Sequence, residues 1–210
     1  MAATLKYIQP DAEAFMIHLA RVSSDNENNP DYERLLNKCM RDQHWSVFEM
    51  ADVVMELYTS RAIAAQILRH RSFHFQEFSQ RYADPTQELD FVLREARLQD
   101  TKNRQNSIET DNLALQSFWE TRQKKVIEEC KSAYDWAIAN GIAKEQARAV
   151  LPEGITVSRL YMNGTLRSWV HYIQLRSEKG TQKEHRDVAL ACALVIEPVF
   201  PMIKEYINEQ

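Results

Sequence analysis

"ADVVMELYTSRAIAAQILRHRSFHF", Ala51 to Phe75, changes its hydrophobic period twice in one short run. From Ala51 to Tyr58, Val53, Met55 and Leu57 fall on one side, and Asp52, Val54 and Glu56 on the other. That is the two-residue period of a strand. From Arg61 to Leu68 the apolar residues are Ile63, Ile67 and Leu68, which returns the chain to a helical spacing. Gln66 and Arg69, three apart, are expected on one face near the end of that helix. Ser72 to Phe75 alternates again, and Glu77 to Asp84 reads as a loop or a short strand.

Outward from this run the helical signals dominate. Asp11 to Arg21 carries a broad apolar arc after Pro10, and "SSDNENNPD" is a loop. A second helix follows Asn29-Pro30 with Tyr32, Leu35, Leu36 and Cys39. Residues 86–110 are polar and poorly periodic, and are predicted as a strand followed by a mobile loop. The clearest element is a long helix from about Asn112 to Asn140. Its stripe is Leu115, Phe118, Trp119, Val126, Cys130, Ala133 and Ala137, and Asn140-Gly141 is its stop. "KEQARAVLP" gives a short helix, "ITVSRLYM" a strand, and "NGT" begins a helix running to Arg176. A last helix is expected from Gln182 to about Glu197. The expectation is an α+β fold: one helix-rich domain over residues 1–210 around an antiparallel sheet.

Composition narrows the function. The net charge is −4, so the chain as a whole is no magnet for nucleic acid, and its cationic runs are local choices. Cys39, Cys130 and Cys192 are far apart and form no paired motif, which reads as reduced thiols in a cytoplasmic setting. The N-terminus shows no signal-peptide pattern, and no apolar stretch is long enough to span a membrane.

The run "QILRHRSFHFQEFSQRYADP", Gln66 to Pro85, sets fixed positive charge among phenylalanines. His70 and His74 are four apart, but the arginines beside His70 would repel a dication, so no metal site is expected. Ser72 and Ser79 lack a glycine-rich elbow, and glycine-rich phosphate loops are absent from a chain with four glycines. Anion and ring recognition remains. Arg69, Arg71 and Arg81 are fork-shaped donors, Ser79 offers a hydroxyl, and Glu77 could accept from a sugar hydroxyl. In "LRSWVHYIQLR" Arg167, His171 and Gln174 share a helix face, and Arg176 closes the last turn. Arg148 is a further donor. Phosphates joined to flat rings, as in nucleotides, suit this set best.

Arg69-His70-Arg71, seven residues and Ser79, continued by Gln80-Arg81-Tyr82, resembles the signature of the flavin-dependent thymidylate synthases. "QHWSVFEM" from Gln43 is similar to the family's His-x-Ser-x-Phe-Glu segment, and "EQARAVLP" to its Ala-Arg-x-x-Leu-Pro turn. "LRSWVHYIQLR" resembles its helix ending in Leu-Arg, and "GTQKEHR" its Gln-x-Glu-x-Arg. Two departures stand out. Met50 replaces a second histidine, and "NGTLRS" is longer than the commoner Asn-x-Arg-Ser, leaving Asn163 or Thr165 in place of the flavin-facing asparagine.

The resemblance implies a mixed α+β, thymidylate synthase-complementing-like fold and a homotetramer with shared active sites. It implies methylation of dUMP to dTMP, with 5,10-methylenetetrahydrofolate as carbon donor and NADPH-reduced FAD as hydride source. Carried onto this chain, Ser46, Arg69, His70, Arg71, Glu77, Asn163 or Thr165, Arg167 and His171 would meet FAD. Gln66, Arg69, Glu77, Ser79, Gln80, Arg81, Arg148 and Arg176 would hold dUMP. His44 would line the folate entrance, and Arg176 would activate the pyrimidine. No cysteine nucleophile is implied. The competing readings are a single-strand nucleic-acid binder, which the negative charge disfavours, and a flavin or nucleotide sensor without chemistry.

Overall fold

The computed structural model describes residues 3–208. In chain order the elements are β1 (Ala3–Ile8), α1 (Ala12–Ala20), α2 (Glu33–Arg41), β2 (Asp52–Ser60), α3 (Arg61–Ile67), β3 (His74–Glu77) and α4 (Pro85–Glu88). Then come β4 (Arg97–Gln99), β5 (Ser107–Glu109), α5 (Leu113–Ala139), α6 (Lys144–Ala147), β6 (Val157–Thr165), α7 (Leu166–Arg176) and α8 (Lys183–Ile196). Short 3-10 turns cover Trp45–Glu49, Arg148–Val150 and Pro201–Tyr206. The main sheet has the order β1-β2-β6-β3 and every neighbouring pair is antiparallel.

The alternation in β2 sorts its side chains. Val53, Met55 and Leu57 are buried together with Leu160 and Met162 of β6, and the helices cover this face. Trp169 and Ile173 from α7, Val188 and Cys192 from α8, and Ile63 and Ile67 from α3 complete the core. Each such side chain contributes about 1.5–3 kcal/mol on burial. The other face stays polar: Glu56 is held there by Lys6 at 2.7 Å, beside Tyr58 and Tyr161. An antiparallel sheet tolerates one such face.

Two helices leave the sheet directly, and each starts on a hydroxyl cap. Ser60 Oγ accepts from the Ile63 amide at 3.5 Å, and Thr165 Oγ1 from the Ser168 amide at 3.3 Å. Strand ends thereby become helix starts, which fixes where α3 and α7 deliver their last residues. Between α3 and β3 the loop folds back so that Phe73 lies over Gly164 of β6. A Cβ on Gly164 would sit 2.4 Å from the Phe73 ring. Only a residue without a side chain permits that approach.

Four expectations need correction. Strand β1 precedes the first predicted helix and was not expected; a bulge between Leu5 and Tyr7 breaks its alternation and hides the period. Residues 86–110 hold a helical turn, a bridge at Phe91 and the β4–β5 hairpin, stitched by Asp100 to the turn amides of Lys102 and Asn103. Asn163 and Gly164 belong to β6, and only Thr165 begins the helix. Arg69 lies beyond the end of α3, in the turn after Ile67, so it shares no helix face with Gln66. The long helix is present, but much of its stripe is not a core. Cys130 and Ala137 of the stripe pack with Tyr134 on Ala147 and Leu151, whereas Phe118 is 70 % and Trp119 44 % exposed.

Candidate active site

The end of α3, the loop after it, the last turn of α7 and the first turn of α8 converge. Arg176 Nε donates to His70 Nε2 at 3.0 Å, so that imidazole nitrogen is an acceptor and the ring is neutral. Burial, then the charges of Arg176 and Arg69, push His70 down to about 4. Its ring stands edge-on to Tyr172, with centroids 5.0 Å apart. Below it, His185 is fully buried, contacting Gln66 Oε1 through Nδ1 at 3.1 Å and the Tyr172 hydroxyl through Nε2 at 3.2 Å. Burial, again with Arg176 second, pushes His185 down to about 3. Arg176 uses only Nε on His70, so both terminal amino groups of its guanidinium remain available. Arg69 and Arg71 are exposed beside it, with no carboxylate partner among the described residues.

A second group gathers after β3. Ser158 Oγ donates to Glu77 Oε1 at 2.6 Å, and Arg61 lies 3.4 Å from the same oxygen. The chain then turns on Ser79, whose carbonyl accepts from the Tyr82 and Ala83 amides and whose hydroxyl accepts from the Arg81 amide. This turn rests on α6: Lys144 Nζ donates to the Tyr82 carbonyl at 3.0 Å, and Arg81 meets Glu145 at 3.2 Å. Gln80 is buried with its side-chain Nε2 unpartnered, and Arg148 opens the next turn with no ion-pair partner among the described residues.

The third group lies on the outer side of α7. A nine-residue spacing turns a helix by roughly 900°, so Arg167 and Arg176 point in opposite directions. Arg167 pairs with Glu49 of the Trp45–Glu49 turn. His171 stands edge-on to Trp45 at 4.8 Å, and burial followed by Arg167 lowers its pKa. His44 and Ser46 are exposed on the same turn. Ser168 Oγ donates to the Ser72 carbonyl at 3.2 Å, which ties the cation loop to this helix. Thr165 spends its hydroxyl on the cap, while Asn163 keeps a buried Oδ1 without a partner.

Thus the sequence-predicted residues fall into three groups. The exposed forks of Arg69 and Arg71, and the half-buried Arg167 that pairs with Glu49, have imidazole and hydroxyl neighbours, a donor chemistry that fits a pyrophosphate joined to a ring system. Sequence reasoning missed Tyr172, His185, Gln182, Glu184 and Arg97. "TQKEHR" held the signal for three of them, because histidine and glutamate in the first turn of an apolar helix need buried partners.

The chain matches the model of the family described as thymidylate synthase complementing protein over residues 4–202. It is 49% identical over 191 residues to a flavin-dependent thymidylate synthase of Synechocystis, covering 91% of this chain and 87% of that protein. It is 48% identical over 199 residues to a probable flavin-dependent thymidylate synthase of Paramecium bursaria Chlorella virus 1, covering 94% and 91%. A crystal structure of a UMP/dUMP methylase from Streptomyces cacaoi, bound with 5-Br dUMP, superimposes with a TM-score of 0.77. That match covers 97% of this chain and 93% of the other at 24% identity, and shows the shared fold.

Proposed function

Because the chain belongs to the thymidylate synthase complementing protein family, that of the flavin-dependent thymidylate synthases, we propose that it methylates dUMP at carbon 5 to give dTMP. The observation that carries this reading is Arg176, held by His70 through Nε alone and so left with two free amino groups. Carbon 5 of uracil is a poor nucleophile until electron density is pushed into the ring. A guanidinium against the O2/N3 edge stabilises the enolate-like form, and arginine keeps its charge at any working pH. His70, neutral and wedged on Tyr172, holds that guanidinium without competing for charge.

The remaining roles follow from donor chemistry. Ser79, Gln80, Arg81 and Arg148 hold the dUMP phosphate, with Arg81 leaving Glu145 to do so. Gln66 and Glu77 contact the nucleotide. Arg69, Arg71, Arg167, His171 and Ser46 hold FAD. Thr165 takes the place of the flavin-facing asparagine, since it stands two residues before Arg167 and asparagine and threonine both serve as helix caps. Asn163 lies on the strand before it. His44 lines the entrance for 5,10-methylenetetrahydrofolate, the methylene donor. FAD held by these residues would supply the hydride that completes the methyl group, with NADPH as the reductant and tetrahydrofolate as the product of the carbon donor.

A single domain working as a homotetramer with shared sites accounts for two features. Arg167 and Arg176 face opposite ways on α7, and α5 exposes Phe118 and Trp136. Reduced, buried thiols support a cytoplasmic setting. Among the described residues no helix is long and apolar enough to cross a membrane. The test is dTMP formation by the yellow, FAD-loaded protein. Product is expected only with dUMP, 5,10-methylenetetrahydrofolate and NADPH together. NADPH oxidation without dTMP would reduce the protein to a flavin oxidase.

A further inference from the structure

Behind Gln66 runs a chain of side-chain hydrogen bonds. Arg97 Nη2 donates to Glu184 Oε1 at 2.5 Å, fixing a carboxylate. Gln182 Nε2 donates to Glu184 Oε2 at 2.9 Å, so the Gln182 carbonyl points the other way. Gln66 Nε2 donates to that carbonyl at 2.9 Å, which turns Gln66 Oε1 toward His185. An ionised carboxylate only accepts, so every amide along the line has one orientation. His185 must then carry its proton on Nδ1 and accept from the Tyr172 hydroxyl on Nε2. Nothing in the reaction as described uses His185, yet it is fully buried with both nitrogens engaged.

We propose that His185 is a positioning residue which, with Glu184 at the other end of the line, sets the Gln66 amide so that it meets dUMP as a donor. Of the two Gln66 amide protons one goes to Gln182, and the other stays free for a ligand oxygen. With its carbonyl committed to His185, Gln66 offers no acceptor in competition. A flipped amide would present oxygen to a phosphate or a uracil carbonyl and repel it. Nδ1 donates to Gln66 Oε1 whether the ring is neutral or doubly protonated, so the charge of His185 decides only the direction of the Tyr172 bond. Arg176, Arg69 and His70 face it and favour the neutral form. The Tyr172 ring in turn braces His70, and through it Arg176.

The inference rests on the reading of Gln66 as a dUMP contact, and the test separates the two. The dissociation constant of dUMP is measured by calorimetry on the FAD-loaded protein, with turnover at saturating dUMP alongside. Gln66→Ala should weaken dUMP about tenfold or more. Glu184→Gln, which removes the fixed acceptor at the line's far end, should weaken it several-fold with little change in saturated turnover. His185→Asn keeps an amide donor near the Nδ1 position and should bind better than His185→Leu. In the Gln66→Ala background Glu184→Gln should have no further effect, since coupled residues fail to add. If Gln66→Ala leaves dUMP binding unchanged, the reading of Gln66 and the proposal both fall. If Gln66→Ala weakens binding but Glu184→Gln does not, or the two losses simply add, Gln66 stands and the positioning line is wrong. Should His185→Leu fail to fold, the Glu184 and Gln66 pair decides alone.

Discussion

The inner nest around His70, Arg176 and His185 and the outer turn around Ser79, Arg81 and Arg148 hold similar chemistry in opposite states. In the nest every hydrogen bond is internal, two imidazoles are kept neutral by burial, and the guanidinium has one fixed anchor. On the turn the arginines are exposed or half-buried, and the ion pair of Arg81 with Glu145 is solvent-screened, worth little in itself. One region is closed by its own side-chain bonds; the other is held through its backbone and keeps its arginines toward solvent. Preorganised charge acts in the transition state, whereas loosely held charge acts in binding.

The largest test of that contrast is Arg176→Ala. Turnover at saturating dUMP should fall ~10²–10³-fold with FAD retained, as for loss of a preorganised donor. Arg176→Lys should also be severely impaired, because it keeps charge but lacks both the Nε anchor to His70 and the planar fork. Single-turnover dTMP formation measures both. A normal rate at saturation would make Arg176 a binding contact and erase the difference between the regions. Arg81→Ala should be milder and of another kind, raising the KM for dUMP roughly tenfold, about 1.4 kcal/mol, with near-normal saturated turnover. A kcat loss equal to that of Arg176→Ala would show the turn to be as preorganised as the nest.

The nest should also control acid stability. His70 and His185 have folded pKa values below the ordinary 6.5, at about 4 and about 3. The unfolded chain therefore binds protons first. The stability these residues confer is whole above pH 6.5 and drains away as pH falls toward 4 and then 3. Thermal melts across pH 7 to 4 should show this slope, and His185→Asn should flatten it. An equal slope in the variant would assign it to other groups.

The smallest expected effect is at the cysteines. Burial raises the pKa of Cys39, Cys130 and Cys192, and none has a base beside it. The triple Cys→Ala protein should keep most of its turnover and lose about 1 kcal/mol of stability per site. A thousandfold loss with the fold intact would reveal a covalent step.

The same contrast explains what the sequence made legible. Strand β2, helices α5, α7 and α8, and the signature cations were readable because period and spacing are local. Strand β1 was not, since its bulge erased the two-residue period. The exposure of Phe118 and Trp119 was not, since an apolar stripe does not say what covers it. Among site residues, those that carry charge outward were found by type. His185, Glu184 and Arg97 were missed because their role depends on partners from 87 to 119 positions distant. Gln182 and Tyr172 belong to that same unseen scaffold.

The close approach of Phe73 to Gly164 sets a clearance. The loop carrying Arg69, His70 and Arg71 is seated at a height above the sheet decided by an atom that β6 does not have. Adding one methyl group there would act as a shim under the Phe73 ring. It would lift the Phe73 ring, tilt the loop and separate His70 from Arg176 with every signature residue still present. Tolerance of the site is thus gauged from beneath, by the thickness of a strand.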